Sequence, residues 1–168
     1  MLLYPKYYYK NVQSIDLEEL YKAKIKGIIL DVDNTLIDYK RIMPEEIKEW
    51  VKEAKNKSFK VCILSNSNKK DKIEKVASDL ELKYIMSAKK PFRVGYIKVL
   101  RLLNLEPEEC VAVGDQVFTD VIGANRMNIN SVYVEPINKK EYWYTKWKRP
   151  IEEWILNKYK AKKESEVK

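Results

Sequence analysis

Five short apolar runs, each ending in a cluster of polar residues, constrain the fold of this chain more than any other feature. They are Gly27–Leu30, Phe59–Leu64, Tyr84–Met86, Cys110–Val113 and Ser131–Val134. The stretches between them have helical periodicity, which predicts helices from Pro44 to Lys57, Lys69 to Leu80, Val94 to Leu103 and Phe118 to Met127. In the first of these, Pro44 suits the opening turn and Glu45 and Glu46 sit near the positive helix end. Ile47, Trp50, Val51 and Ala54 then recur on one face. Strands that are apolar throughout are buried on both sides. Alternating with helices, they indicate parallel βαβ units and an α/β fold with a central, mainly parallel five-stranded sheet.

At 168 residues, 45% hydrophobic and 35% charged, the chain has the composition of one folded domain, expected over 1–160, with a charged tail at 161–168 expected to be disordered. There is no histidine, and the only cysteines, Cys62 and Cys110, lie inside apolar runs. Zinc hydrolysis, histidine acid–base catalysis and Ser-His-Asp chemistry are therefore excluded or severely weakened. No apolar run approaches the roughly 20 residues that span a bilayer. Met1 to Lys10 has no signal-peptide core, so a cytoplasmic location is expected.

In a parallel sheet the working groups sit beyond the carboxyl ends of the strands. Here those ends carry Asp31-Val32-Asp33-Asn34-Thr35, then Ser65-Asn66-Ser67, then Lys89-Lys90-Pro91, then Gly114-Asp115 with Asp120 five residues on. Each cluster taken alone reads as a turn or a helix cap. Together they deliver carboxylates, a hydroxyl and an ammonium to one rim, a set suited to phosphoryl transfer through an aspartyl phosphate. Three close carboxylates call for a cation, and all-oxygen ligands select Mg2+. Asp31 is then the candidate nucleophile and Lys90 the group stabilising it and the phosphoryl oxygens. Ser65, Asn66 and nearby backbone N–H groups would hold phosphate. Asp33 can protonate the departing alcohol and later deprotonate the attacking water.

These motifs resemble the haloacid dehalogenase (HAD) phosphatase superfamily, matching DxDxT at Asp31–Thr35, the strand ending in Ser65, the lysine before Pro91, and GDxxxD from Gly114 to Asp120. The resemblance implies a Rossmann-like three-layer sandwich. It implies Mg2+ bound by Asp31, the Asp33 carbonyl and Asp115, with Thr35 and Asp120 in support and Asp120 orienting Lys90 or a metal-bound water. Lys89 is the alternative motif lysine. Aspartate at position 33 is typical of phosphatase members. Only 31 residues separate Asp33 from Ser65 and 24 separate Ser65 from Lys90, too few for a cap domain, so the chain resembles the capless subclass III. Finer detail in the segments around Tyr4-Pro5, Ala88–Pro91 and Val113–Arg126 resembles the YqeG-like family, related to mitochondrial and plastid phosphatidylglycerophosphate phosphatases.

The charge of +8 lies at the ends: residues 1–26 hold 5 basic and 3 acidic side chains, and 138–168 hold 10 and 5. Lysine, arginine, tryptophan and tyrosine interleave over 142–149. Such flanks suit an anionic bilayer interface on the inner face of the cell membrane. They also suit a terminal helix packed on the sheet through Trp147 and Trp154, or, less well, single-stranded RNA. The expected activity is dephosphorylation of phosphatidylglycerophosphate at the membrane surface. The alternatives are a capless phosphatase for a soluble sugar phosphate, nucleotide or phosphoprotein, and a non-enzymatic RNA-associated scaffold. The complete set Asp31, Asp33, Lys90 and Asp115 argues against the scaffold, since binding alone does not need it.

Overall fold

The computed structural model describes residues 2–138 and 147–166. Its sheet is built from β1 (Tyr7–Tyr9), β2 (Gly27–Leu30), β3 (Lys60–Leu64), β4 (Lys83–Ile85), β5 (Cys110–Gly114) and β6 (Asn130–Val134). The order is β1-β6-β5-β2-β3-β4, and every neighbouring pair is parallel. The helices are α1 (Leu17–Lys22), α2 (Glu45–Asn56), α3 (Lys70–Leu80), α4 (Arg93–Leu103), α5 (Ile122–Arg126) and α6 (Arg149–Glu166).

Successive strand residues point to opposite faces, and that alternation divides the interior in two. Ile28, Leu30, Ile63, Val111 and Val113 pack with the apolar sides of α1, α2 and α3. Ile29, Cys62, Leu64 and Ala112 pack with Tyr96, Val99 and Leu100 of α4 and Ala124 of α5. The result is the three-layer sandwich. From β2 the chain builds outward to β3 and β4, then crosses back to place β5 on the other side of β2. The strand order thus reverses between β2 and β5, and a crevice opens at their carboxyl ends.

Three expectations need correction. The sheet has six strands, because Tyr7–Tyr9 pairs with β6 as a short, half-buried edge. Its three residues are all tyrosines, half-buried with polar hydroxyls, so it carries no aliphatic run like those that mark the other strands. The helix expected from Phe118 to Met127 starts as a π-helical turn, Val117–Val121, before α5. The end expected to fray from residue 161 instead continues α6 to Glu166. Lys162 and Lys163 both pair with Glu166 there, and no helix breaker intervenes.

The basic-aromatic ends are partly built into the molecule. Ile155, Leu156 and Tyr159 of α6 are buried, and the first two pack with Val117, Val121 and Tyr133. Each such burial stabilises the attachment by roughly 1.5–3 kcal/mol. Tyr8 stacks on Tyr133 and Tyr4 meets Tyr159 edge-on. Trp147 and Trp154 do not pack on the sheet. Both are exposed, with Lys148 over one ring and Lys158 over the other. Tyr142, Trp143, Tyr144 and Lys146, expected at a membrane interface, lie outside the described residues.

Candidate active site

The switch point brings the strand-end motifs together. Asp31 continues β2 and donates its N–H to the Val113 carbonyl of β5 at 3.0 Å, which sets it beside Asp115. Asp31, Asp115 and Asp120 are buried, and each offers a carboxylate oxygen within 4.8 Å of the others. The Lys90 ammonium lies 2.6 Å from an oxygen of Asp31 and 2.6 Å from one of Asp120. Lys90 is therefore the lysine of the cluster. Lys89 is exposed, at φ 57°.

Asp120 reaches this position through two local features. The π turn shifts its backbone, with the Asp120 and Val121 N–H groups both donating to the Gln116 carbonyl. Gly114 leaves space for its carboxyl group, with which a β-carbon at that position would collide. The other Asp120 oxygen accepts the Gln116 N–H at 3.2 Å.

The Thr35 hydroxyl is 3.0 Å from Asp115 Oδ1 and 3.4 Å from Asp31 Oδ2. One hydroxyl proton cannot serve both oxygens, so two buried carboxylate oxygens converge on a single shared donor. That donor set fits a hard divalent cation. Electrostatics agree. Burial, outweighing the Lys90 charge, pushes Asp31 up to about 7, helped by the neighbouring Asp120 and Asp33. Burial likewise pushes Asp115 up to about 8 against the Arg149 guanidinium, with Asp31 and Asp120 adding to the rise. Burial opposes the Lys90 charge, yet Asp120 and Asp31 outweigh it and hold the ammonium protonated.

Ser65 is fully buried at the end of β3, and its hydroxyl accepts the Ser67 N–H at 3.1 Å. Asn66 spends its side-chain amide on the backbone of Lys90, accepting its N–H at 2.6 Å and donating to its carbonyl at 3.0 Å. It thus ties the β3 loop to the Lys90 loop. Asp33 stands at the partly exposed margin, its carboxylate 2.5 Å from the Lys72 ammonium.

Lys72 and Arg149 are site residues that motif reading passed over. Lys72 lies on α3 one turn before Val76 and belongs to its buried face with Ile73, Val76, Ala77 and Leu80. A lysine on an otherwise apolar helical stripe was the available signal. Arg149, grouped by sequence with membrane-facing cations, instead turns inward at the start of α6. It pairs with the Asp115 carboxylate at 2.5 Å and with Glu152 at 3.1 Å. Glu152 is itself buried and accepts the Phe118 N–H at 3.0 Å, joining α6 to the π turn. No local pattern marks Arg149, because its partner lies 34 positions away in the chain.

Among the described residues no inserted domain covers the site. One helix, α2, fills the span from Asp33 to β3, and only α3 and β4 separate Ser65 from Lys90. A hollow of about 680 Å³ does lie between the N-terminal segment and α6, lined by Lys6, Asn130 and Lys163 among others. It opens at the amino-terminal edge of the sheet, away from the carboxylates.

Comparison with known proteins agrees with this arrangement. Residues 1–138 match the family described as mitochondrial PGP phosphatase, where PGP is phosphatidylglycerophosphate. The chain is 35% identical over 160 residues to the probable phosphatase YqeG of Bacillus subtilis strain 168, covering 94% of this chain and 92% of that protein. It is 25% identical over 142 residues to phosphatidylglycerophosphate phosphatase 1, chloroplastic/mitochondrial, of Arabidopsis thaliana, covering 79% of this chain and 40% of that protein. The crystal structure of a HAD phosphatase from Thermococcus onnurineus has the same fold, with a TM-score of 0.56 at 15% identity over 71% of this chain and 90% of that one. The family match and the YqeG relative place this chain in the mitochondrial PGP phosphatase family, as a YqeG-like phosphatase with the fold of the HAD phosphatase structure.

Proposed function

We propose that this phosphatase is a Mg2+-dependent phosphomonoester hydrolase that works through an aspartyl phosphate on Asp31, with a phosphatidylglycerophosphate headgroup as substrate. The observation that carries the reading is the meeting of Asp31, Asp115, Asp120 and Lys90 at one buried point, with Asp33 at its margin. Asp31, Asp115 and the Asp33 carbonyl would hold Mg2+, which when bound would neutralise charge on the phosphoryl group. An Asp31 oxygen attacks phosphorus in line, the ester P–O bond breaks, and the departing alkoxide takes a proton from Asp33. Asp33 then accepts a proton from water as that water attacks the phosphorus, releasing phosphate and regenerating the Asp31 carboxylate. Lys90, held between Asp31 and Asp120, steadies the nucleophile and the developing charge. The lipid substrate is supported by the family match and by the short α2 and α3–β4 connections beside the site, which among the described residues leave room for a headgroup presented from a bilayer.

The test is a phosphatase screen with phosphatidylglycerophosphate beside soluble sugar and nucleotide phosphates, run on metal-stripped and Mg2+-restored protein. Turnover is expected to vanish on chelation and return with Mg2+ but not Ca2+, whose larger coordination number can engage both Asp31 oxygens. Full turnover in stripped protein would refute the metal requirement. A clear preference for a soluble ester would refute the lipid substrate.

Asp33→Asn separates the acid role from the nucleophile. In single-turnover kinetics the variant is expected to slow phosphorylation by roughly 100-fold or more with an alkyl phosphate, and much less with a nitrophenyl phosphate, whose leaving group needs no proton. Equal losses for the two esters would remove the general-acid assignment.

A further inference from the structure

We propose, resting on the lipid-phosphate reading above, that the rim of the catalytic cleft is the surface that docks on an anionic phospholipid bilayer. Ile42, Phe92 and Trp147 enter the headgroup layer, and the cations around them pair with lipid phosphates.

All three side chains are strongly exposed, Ile42 at 59% and Phe92 and Trp147 each at 66%. Each sits in a loop at the carboxyl edge of the sheet, anchored to the site. Phe92 lies two residues beyond Lys90, and Trp147 two residues before Arg149, which holds Asp115. Ile42 closes a turn in which the Asp38 carboxylate accepts the Lys40 and Ile42 N–H groups at 2.9 and 2.8 Å. Its neighbour Arg41 reaches Asp71 on α3 at 2.8 Å. The Phe92 N–H donates to the Lys89 carbonyl at 2.9 Å, so Ile42 and Phe92 are exposed on hydrogen-bonded backbone. Of the twelve exposed large hydrophobic residues described, seven lie in these loops or in the first helical turn after them. Scattered surface residues need no explanation, but seven gathered at the sheet edge that carries the catalytic cluster do.

The charge of the rim selects the partner. Lys40, Arg41, Lys69, Lys70, Lys89 and Arg93 are exposed on it. The exposed acids in these loops and first helical turns are Glu45, Glu46, Asp71 and Glu135, fewer than the cations, and three are engaged: Glu45 by Lys48, Asp71 by Arg41 and Glu135 by the Tyr8 hydroxyl. Apolar and aromatic side chains interleaved with cations suit an anionic bilayer interface. Two such rims facing each other would repel, which disfavours a second copy of this chain as the occupant. Asp31 is 8% exposed at the same carboxyl edge as these loops, so a phosphomonoester projecting from a docked bilayer would face the nucleophile without leaving the membrane.

The experiment is co-sedimentation of the full chain with phosphatidylcholine vesicles, with and without phosphatidylglycerol. The wild type is expected to bind only the anionic vesicles and to be released by salt. Ile42→Ser/Phe92→Ser/Trp147→Ser is expected to weaken binding at least tenfold, and Lys40→Gln/Arg93→Gln by roughly fivefold for each charge removed. Both variants should keep the wild-type melting temperature and turnover of p-nitrophenyl phosphate. The proposal is overturned if both folded variants bind as the wild type does, or if the wild type binds neither vesicle. It is also overturned if the triple variant turns a dimer into a monomer, which would make a second copy the occupant. Hydrolysis of a monomeric, short-chain phosphatidylglycerophosphate tests the substrate without the membrane. Failure there with vesicle binding intact removes the lipid substrate and leaves the docking surface standing.

Discussion

Asp31→Asn is expected to lower turnover by on the order of 10,000-fold or more while leaving the protein folded. That is a loss of about 5 kcal/mol of transition-state stabilisation. The amide keeps the shape of the carboxyl group but presents no anionic oxygen to phosphorus, so the covalent route closes. The fold is expected to survive because the amide oxygen can still accept from Lys90 while the NH2 on the other side can donate to the Thr35 hydroxyl oxygen, and because losing a buried negative charge relieves repulsion from Asp115 and Asp120. Melting temperature and single-turnover phosphorylation on the same preparation check both halves. Retained covalent labelling with phosphate at wild-type rate would refute Asp31 as nucleophile.

Lys90→Met is expected to damage stability as well as activity. Its side chain is 4% exposed and joins two carboxylates that are 10% and 5% exposed. Removing the cation leaves both buried acids without their shared partner, and breaking a buried pair in this way costs roughly 3–5 kcal/mol. Urea unfolding of metal-free protein measures the loss. Adding Asp120→Asn to Lys90→Met is expected to restore part of it, because one of the two uncompensated charges is gone. Activity is expected to stay low in both variants, since neither has an ammonium beside Asp31. A Lys90→Met protein as stable as wild type would show that Lys90 does not hold the two carboxylates together.

Lys72 and Arg149 divide what could be read along the chain from what could not. Lys72 had a local signature, a lysine in phase with the apolar residues of α3, so its burial was legible although its partner Asp33 was not. Arg149 had none. In its segment it resembles its exposed basic neighbours, and only the docking of Ile155 and Leu156 on the π turn carries it to Asp115. The edge strand Tyr7–Tyr9 shows the same limit in the fold, since its pairing depends on β6, more than a hundred residues later. Asn66 shows it in the site, where a residue read as a phosphate contact is engaged with the Lys90 backbone.

The sequence by itself determined the alternation of strands and helices, and the edge at which Asp31, Asp33, Ser65, a lysine shortly before Pro91, Asp115 and Asp120 emerge. It could do so because strand and helix periodicities are local, and because a parallel sheet sends every strand's carboxyl end to the same edge. The tertiary structure decided which of two adjacent lysines enters the cluster, how far Asp120 must shift to meet it, and which flank residues turn inward. Those outcomes depend on burial, on shared hydrogen-bond donors and on charges brought together across long stretches of chain. They are set by the balance between desolvation and pairing, and that balance exists only once the chain has closed around the site.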